Sequence, residues 1–108
     1  MKKSITAVVA AAVLLASSYA LAQTNTGPAA GRELATRVCA ACHKVTPQQR
    51  APRGNAPSFS AIANMSSTTE ISLHVFLATP HANMPNLVLK PQQQDDVIAY
   101  ILAQRRSH

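Results

Sequence analysis

Two cysteines and a histidine stand together in the first half of the chain, as Cys39-Ala40-Ala41-Cys42-His43. On a helix, positions i, i+3 and i+4 share one face, so this spacing directs two thiols and an imidazole at one object. The thiols can add across the two vinyl groups of haem while the imidazole binds the iron from the same side. C-x-x-C-H is the haem attachment pattern, and it predicts one haem c bound covalently through Cys39 and Cys42.

Two other chemistries use closely spaced cysteines. In an oxidising compartment Cys39 and Cys42 could exchange disulfides, but thiol oxidoreductases usually place such a pair at a helix N-terminus after a strand. Here the pair lies near the C-terminal end of a predicted helix with no strand before it. A zinc site would need two further ligands. His74 and His81 are the candidates, although their spacing is not that of the paired ligands in a zinc knuckle.

A haem iron bound by His43 takes its second axial ligand from the opposite side. Four side chains could supply it: Met65, His74, His81 and Met84. Met84 lies in an irregular segment directly before Pro85, where the backbone can present a side chain to iron, and His81 is its rival in the same segment. Met65 is more typical of a residue that fills a core gap, and His74 falls within a predicted helix. Methionine favours reduced iron and raises the potential relative to two imidazoles.

The elements that must position these side chains are predicted to be helices. Apolar spacing indicates four of them, over about 31–43, 58–64, 67–79 and from Pro91 onward. Ser67 and Glu70 fit a capping box at the start of the third. Pro91 suits a first helical position, and Arg105 and Arg106 are expected in the last turn. No stretch alternates long enough for a strand, so the predicted fold class is all-α.

The N-terminus has the features of a secretory signal. Lys2 and Lys3 precede an apolar run over about residues 5–17, and Ala-Leu-Ala at residues 20–22 offers small residues where signal peptidase cleaves. The run is short for a membrane span, which needs about 20 residues. We expect cleavage after Ala22 and a periplasmic protein with no membrane span after processing.

The processed chain is small and has few large side chains. Removing residues 1–22 from the 108 leaves 86, which we divide into a flexible leader over 23–30 and one domain over 31–108. The whole chain has no Trp, two Phe and two Tyr. Small chains of this kind commonly depend on a staple or a metal to complete the core. A haem would supply that apolar centre.

The processed chain is also moderately basic. Lys2 and Lys3 are two of the ten Lys and Arg residues, so eight remain against four acids, a net charge of +4. The positive residues are scattered and no aromatic residues interleave them, which argues against nucleic-acid binding. The charge suits either solubility or steering toward an acidic redox partner.

Residues 31–104 resemble a small class I (monohaem, mitochondrial-type) bacterial cytochrome c. Besides the attachment motif, the similarity lies in Gly31 and Leu34 of the first helix, residues 56–59 (Ala-Pro-Ser-Phe), residues 81–85 (His-Ala-Asn-Met-Pro) and residues 96–102 (Asp-Val-Ile-Ala-Tyr-Ile-Leu). The chain departs from the family at Lys90, where a Ser or Thr cap is usual.

The resemblance implies an all-α fold of about four helices around one haem, with first and last helices crossing near Gly31 and Tyr100. It implies His43 and Met84 as axial ligands, and a hydrogen bond from the second ring nitrogen of His43 to the carbonyl of Pro57. The implied function is one-electron transfer between redox partner proteins, not enzymatic catalysis. The alternative is a haem c subunit that accepts electrons within a periplasmic dehydrogenase or oxidase complex.

Overall fold

The computed structural model describes residues 25–106. The predicted signal peptide and its cleavage site lie outside these residues. The described chain forms four helices: α1 (Pro28–Val38), α2 (Phe59–Ala63), α3 (Glu70–Ala78) and α4 (Pro91–Leu102). No strand occurs between residues 25 and 106, so the predicted all-α class is confirmed. None of these helices has the length and apolar character needed to cross a membrane.

The crossing of α1 over α4 is the centre of the fold. A Cβ built on Gly31 would overlap the backbone carbonyl of Asp96 and lie 2.9 Å from Cβ of Tyr100. Only glycine leaves room for so close an approach of two backbones. The backbone N–H of Gly27, just before α1, also donates to Oδ1 of Asp96 at 2.6 Å. The crossing expected near Gly31 and Tyr100 is therefore confirmed.

The buried side chains form one small core to which every helix contributes. Its members are Leu34, Ala35, Val45, Phe59, Ala63, Leu73, Val97, Ile98, Tyr100 and Ile101. The apolar stripe predicted for α4 is present, with Val97, Ile98 and Ile101 buried. The largest fully buried side chains are only Ile98, Val45 and Val97. Full burial of such a side chain contributes about 1.5–3 kcal/mol, so the protein part of the core is modest.

The first helix begins and ends earlier than the sequence predicted. It begins at Pro28, because proline lacks the N–H that is unpaired at a helix start anyway. Residues 28–30, which we expected in a flexible leader, are thus helical. It ends at Val38, because the N–H of Ala40 donates to the carbonyl of Ala35 at 3.1 Å, a wider turn that breaks the regular ladder.

The start of α3 uses other residues than those predicted. The hydroxyl of Thr69 accepts from the N–H of Ser72 at 3.0 Å, and Oγ of Ser72 accepts from the N–H of Thr69 at 2.8 Å. This is the reciprocal arrangement of a capping box, two residues later than Ser67. The assignment of the box to Ser67 and Glu70 was wrong.

The two ends of α4 also differ from expectation. Lys90 offers no side-chain cap, but its N–H donates to Oε1 of Gln93 at 2.9 Å, which supports the helix start. The helix ends at Leu102, so Arg105 and Arg106 lie beyond it. The guanidinium of Arg105 instead donates to the carbonyls of Ala63 and Thr68. It ties the chain after α4 to the segment around α2.

Candidate haem site

Cys39 and Cys42 lie in the turn that directly follows α1. The N–H groups of Cys42 and His43 both donate to the carbonyl of Cys39, at 3.1 and 2.9 Å. The bond from His43 spans four residues, so one turn keeps α-helical spacing after the helix itself has ended. Both cysteines are free thiols, Cys39 half-buried and Cys42 exposed. The spacing that the motif requires is therefore kept without a continuous helix.

The side chain of Gln49 holds this turn from outside. Its Nε2 donates to the carbonyls of Ala40 and His43, each at 3.0 Å, and its Oε1 accepts from the N–H of Val45 at 2.9 Å. An amide side chain carries both donors and an acceptor, so it can pair with peptide groups on several sides. Sequence analysis did not single out Gln49. Its one signal is its place in a loop close behind the motif.

Two helices hold the residues that follow His43. The hydroxyl of Tyr100 on α4 donates to the carbonyl of Val45 at 2.6 Å. The N–H of Phe59, the first residue of α2, donates to the carbonyl of Lys44 at 3.0 Å. The ring of Phe59 lies between two others, with centroids 5.6 Å from His43 and 6.2 Å from Tyr100. The core thus extends to the imidazole as a row of tilted rings.

The imidazole of His43 is oriented by a backbone carbonyl. Its Nδ1 lies 2.7 Å from the carbonyl oxygen of Pro57, which is the contact that the family resemblance implies. A carbonyl can only accept, so Nδ1 carries the hydrogen and the neutral ring has its lone pair on Nε2. Histidines that bind metals commonly have this outer hydrogen bond, which fixes the tautomer and increases ligand basicity. His43 is therefore prepared to bind a metal through Nε2.

The thiols are not arranged for disulfide exchange. Burial raises the pKa of the Cys39 thiol, whereas a reactive cysteine has a lowered pKa. Cys39 also caps the C-terminal end of α1, where the partial negative charge of the helix gives a thiolate no support. The structure thus disfavours the thiol oxidoreductase interpretation.

The histidines considered for zinc do not join the cysteines. His74 Nε2 lies 3.4 Å from Oδ1 of Asp95 on α4, and His81 contacts Phe76 and Met84. Between residues 25 and 106, no three His, Cys, Asp or Glu side chains are grouped so that they could hold a metal ion. The zinc hypothesis has no ligand set in this part of the chain.

The four candidates for the second axial ligand lie in three places, since His74 is beside Asp95, Met65 is in a cleft, and His81 and Met84 are together. Met84 is half-buried, in a turn where Asn83 has a φ of 65°, and its Sδ lies 2.9 Å from Nε2 of His81. Met65 is exposed and lines an open cleft with Arg105 and Arg106. It fills no gap in the core, so that expectation was wrong. Of the two methionine candidates, Met84 contacts another candidate ligand and Met65 does not.

These residues fit a haem by the chemistry of their donor atoms. The turn after α1 offers two thiols and an imidazole with a free Nε2, and the segment after α3 offers a thioether. Large apolar side chains next to both groups are exposed, Val38 beside Cys39 and Phe76 beside His81. A bound apolar cofactor covers surface of this kind, and a small core gains from it.

Comparison with known proteins agrees with this geometry. The profile of the cytochrome c family matches residues 28–105, which include all four helices. The chain belongs to the cytochrome c family. It is similar to a cytochrome c-552 of Bradyrhizobium diazoefficiens, with 37% identity over 71 residues that cover 66% of this chain and 68% of the relative. No solved structure matches the chain.

Membership confirms the class I cytochrome c resemblance and the small all-α cytochrome c fold. Cytochromes c carry haem c and transfer electrons between redox partner proteins. The general function of this chain is therefore haem-based electron transfer.

Proposed function

We propose that this cytochrome c is a periplasmic one-electron carrier, with one haem c attached through Cys39 and Cys42 and with His43 and Met84 as axial ligands. The observation that carries the proposal is the 2.7 Å contact between Nδ1 of His43 and the carbonyl of Pro57, beside two free thiols. When bound, the haem would supply the redox chemistry, with its iron alternating between Fe(II) and Fe(III).

Hydrogen bonds hold the turn that carries Cys39, Cys42 and His43 and the two residues after it. Gln49 binds the turn at three backbone groups, while Tyr100 and Phe59 bind the next two carbonyls along the chain. Side chains locked by such outer contacts keep their positions when the charge beside them changes. A carrier benefits, because small rearrangement between oxidation states favours rapid electron transfer.

The proposed methionine ligand determines what the protein cannot do. If His43 and Met84 both held the iron, the protein would supply both axial ligands and would leave no position on the metal for a substrate. Sulfur ligation also favours the reduced iron relative to a second imidazole. Both consequences support a carrier in preference to a haem enzyme.

Charge near the attachment turn supports an acidic redox partner. Lys44 directly follows the motif, and Arg50 and Arg53 are exposed in the next loop. No acidic residue occurs from 34 to 69, so these positive charges have no acidic neighbour close in the sequence. Positive surface around an exposed site steers an acidic partner toward it and raises the association rate.

One observation favours the alternative of a haem c subunit in a periplasmic dehydrogenase or oxidase complex. Ile71 and Val75 lie one turn apart on the outer side of α3 and are 76% and 58% exposed. Adjacent exposed apolar residues are typical of a contact surface. Size-exclusion chromatography of the native protein separates the two, because a carrier elutes as the small monomer and a subunit elutes with its partner.

The proposal is tested by intact mass and by spectra. Protein matured in a host that attaches haem c should have the mass of residues 23–108 plus one haem, and the mass of the bare polypeptide would refute it. The oxidised protein should show the weak long-wavelength band of a sulfur–ferric bond, which Met84→Ala should abolish. Recovery from the periplasmic fraction checks the location, with a variant lacking residues 1–22 as control.

A further inference from the structure

We propose that His81 is a stand-by iron ligand, which takes the axial position whenever the sulfur of Met84 leaves it. The proposal rests on the proposed function, because it takes Met84 as the resident ligand. It assigns His81 a role besides that of rival candidate. Two donors serve one position in turn.

The first support is the contact between the two donor atoms. Nε2 of His81 lies 2.9 Å from Sδ of Met84, although the side chains are three positions apart in an irregular segment. Imidazole nitrogen and thioether sulfur are both established axial ligands of haem iron. Since a haem has one axial position on each side, only one of these atoms can bind there, and the other stays beside it.

The second support is the orientation of the His81 ring. Its Nδ1 lies 3.0 Å from the carbonyl of Thr79, and a carbonyl has no proton to donate. Nδ1 therefore carries the hydrogen, so Nε2 of the neutral ring and Sδ of Met84 meet at 2.9 Å as two electron-pair donors with no hydrogen between them. A hydrogen bond does not explain that contact, whereas a metal ion that both atoms can reach does. The Nδ1 contact repeats the arrangement of His43 with Pro57. Both imidazoles have the outer hydrogen bond that is usual for metal ligands.

The third support is that the ring and its carbonyl partner are themselves held. The ring of Phe76 lies against His81 with centroids 4.0 Å apart. Oγ1 of Thr79 donates to the carbonyl of Val75 at 2.7 Å, which fixes the residue that offers the carbonyl. His81 thus stays oriented toward the methionine position without help from the sulfur.

His74 is the natural contrast. It lies on α3 and its Nε2 is 3.4 Å from a carboxylate oxygen of Asp95. Its donor nitrogen faces an acidic side chain on α4 and not the methionine segment. Substitution of His74 therefore changes the histidine content without touching the proposed stand-by ligand.

The consequence is a site that stays closed. In the absence of the sulfur, Nε2 of His81 would hold the iron in its place, and the potential would fall, because a second imidazole favours the ferric state. Added carbon monoxide or imidazole must then compete with His81. The apparent affinity of the added ligand for the iron is therefore lower, because only the molecules in which His81 is not bound can accept it.

The experiment compares four haem-loaded proteins: wild type, Met84→Ala, the double variant His81→Ala/Met84→Ala and the control His74→Ala/Met84→Ala. We expect Met84→Ala to lose the sulfur–ferric band but to remain low-spin, with a lowered potential. The double variant should become high-spin and bind imidazole and carbon monoxide about tenfold more tightly than Met84→Ala. The control with His74 substituted should behave as Met84→Ala.

The outcomes that overturn the proposal are distinct. If Met84→Ala and the double variant are both high-spin and bind carbon monoxide equally, His81 does not replace the sulfur, while methionine ligation stands. If Met84→Ala keeps the spectrum of the wild type, Met84 is not the resident ligand and both proposals fail on that point. Circular dichroism of each variant shows that its helices are intact, and Met84→Leu supplies the same comparison if Met84→Ala folds poorly.

Discussion

The hydroxyl of Tyr100 donates a 2.6 Å hydrogen bond to the carbonyl of Val45, across 55 positions of sequence. Val45 follows His43 by two residues and is 1% exposed. The final helix thereby holds the segment that carries the proposed iron ligand. Stability and the geometry of the site share this contact, and it gives the first prediction.

Tyr100→Phe removes the hydroxyl and leaves the buried carbonyl of Val45 without a partner. An unsatisfied buried acceptor costs about 1–3 kcal/mol, so the free energy of unfolding should fall by that amount while the haem spectrum stays unchanged. Denaturant titration followed by haem absorbance measures it. A variant as stable as wild type would show that water replaces the hydroxyl.

Gly31→Ala should be more damaging, because its Cβ would overlap the carbonyl of Asp96 and press on Tyr100. The helices must separate, and overpacking of this kind costs about 1–3 kcal/mol or more. Thermal unfolding of the haem-loaded protein measures the loss. Arg32→Ala, at the next and exposed position of α1, is the matched control and should change stability by less than about 0.5 kcal/mol.

Gln49→Ala removes three hydrogen bonds to the attachment turn. At about 0.5–1.5 kcal/mol for each bond, partly recovered from water, the free energy of unfolding should fall by about 1–3 kcal/mol. The looser turn should also shift the reduction potential measured by voltammetry. Gln48→Ala, the exposed neighbour, should change neither quantity, and equal effects at both positions would contradict the proposed role.

Cys39→Ala combined with Cys42→Ala should give a colourless and largely unfolded chain. The core has only Ile98, Val45 and Val97 as its largest fully buried side chains, and small chains with cores of this size need an additional stabilising group. Far-ultraviolet circular dichroism and visible absorbance measure both properties. A complete helical signal without haem would mean that the protein core suffices.

Arg50→Glu should slow electron transfer to an acidic partner, because it reverses a charge in the loop behind the attachment turn. The rate of the wild type should fall steeply as salt is added, and the variant should show a weaker dependence. Arg106→Glu changes the net charge equally, but in the cleft that contains Met65. Equal slowing by both variants would indicate an effect of net charge and not of this surface.

The structural features that the sequence predicted correctly depend on local sequence patterns. The apolar stripe of α4 depends on spacing alone and is present in the fold, whereas the crossing of α1 and α4 at Gly31 was implied by the resemblance to cytochrome c. The short helix predicted over 58–64 is present as α2 (Phe59–Ala63), and the Ser58 hydroxyl before it accepts from the N–H of Ala61 at 3.1 Å.

What the sequence did not predict depends on competition between side chains. Both Ser67 and Thr69 can cap α3, and only the folded chain shows that Thr69 and Ser72 form the pair. Gln49 is one of several polar loop residues, and no spacing rule connects it to the backbone groups that it binds. Contact between His81 and Met84 likewise depends on the left-handed turn at Asn83, which residue types alone do not fix.

The crossing at Gly31 also bears on the order of events during biogenesis. Its two helices lie far apart along the polypeptide, since α1 ends at Val38 and α4 begins at Pro91, and contacts between distant segments form late. Before α4 is in place, Cys39 and Cys42 would lie in a segment of the chain that has not yet folded. The enzymes that attach haem would thus reach both thiols before α4 packs against α1.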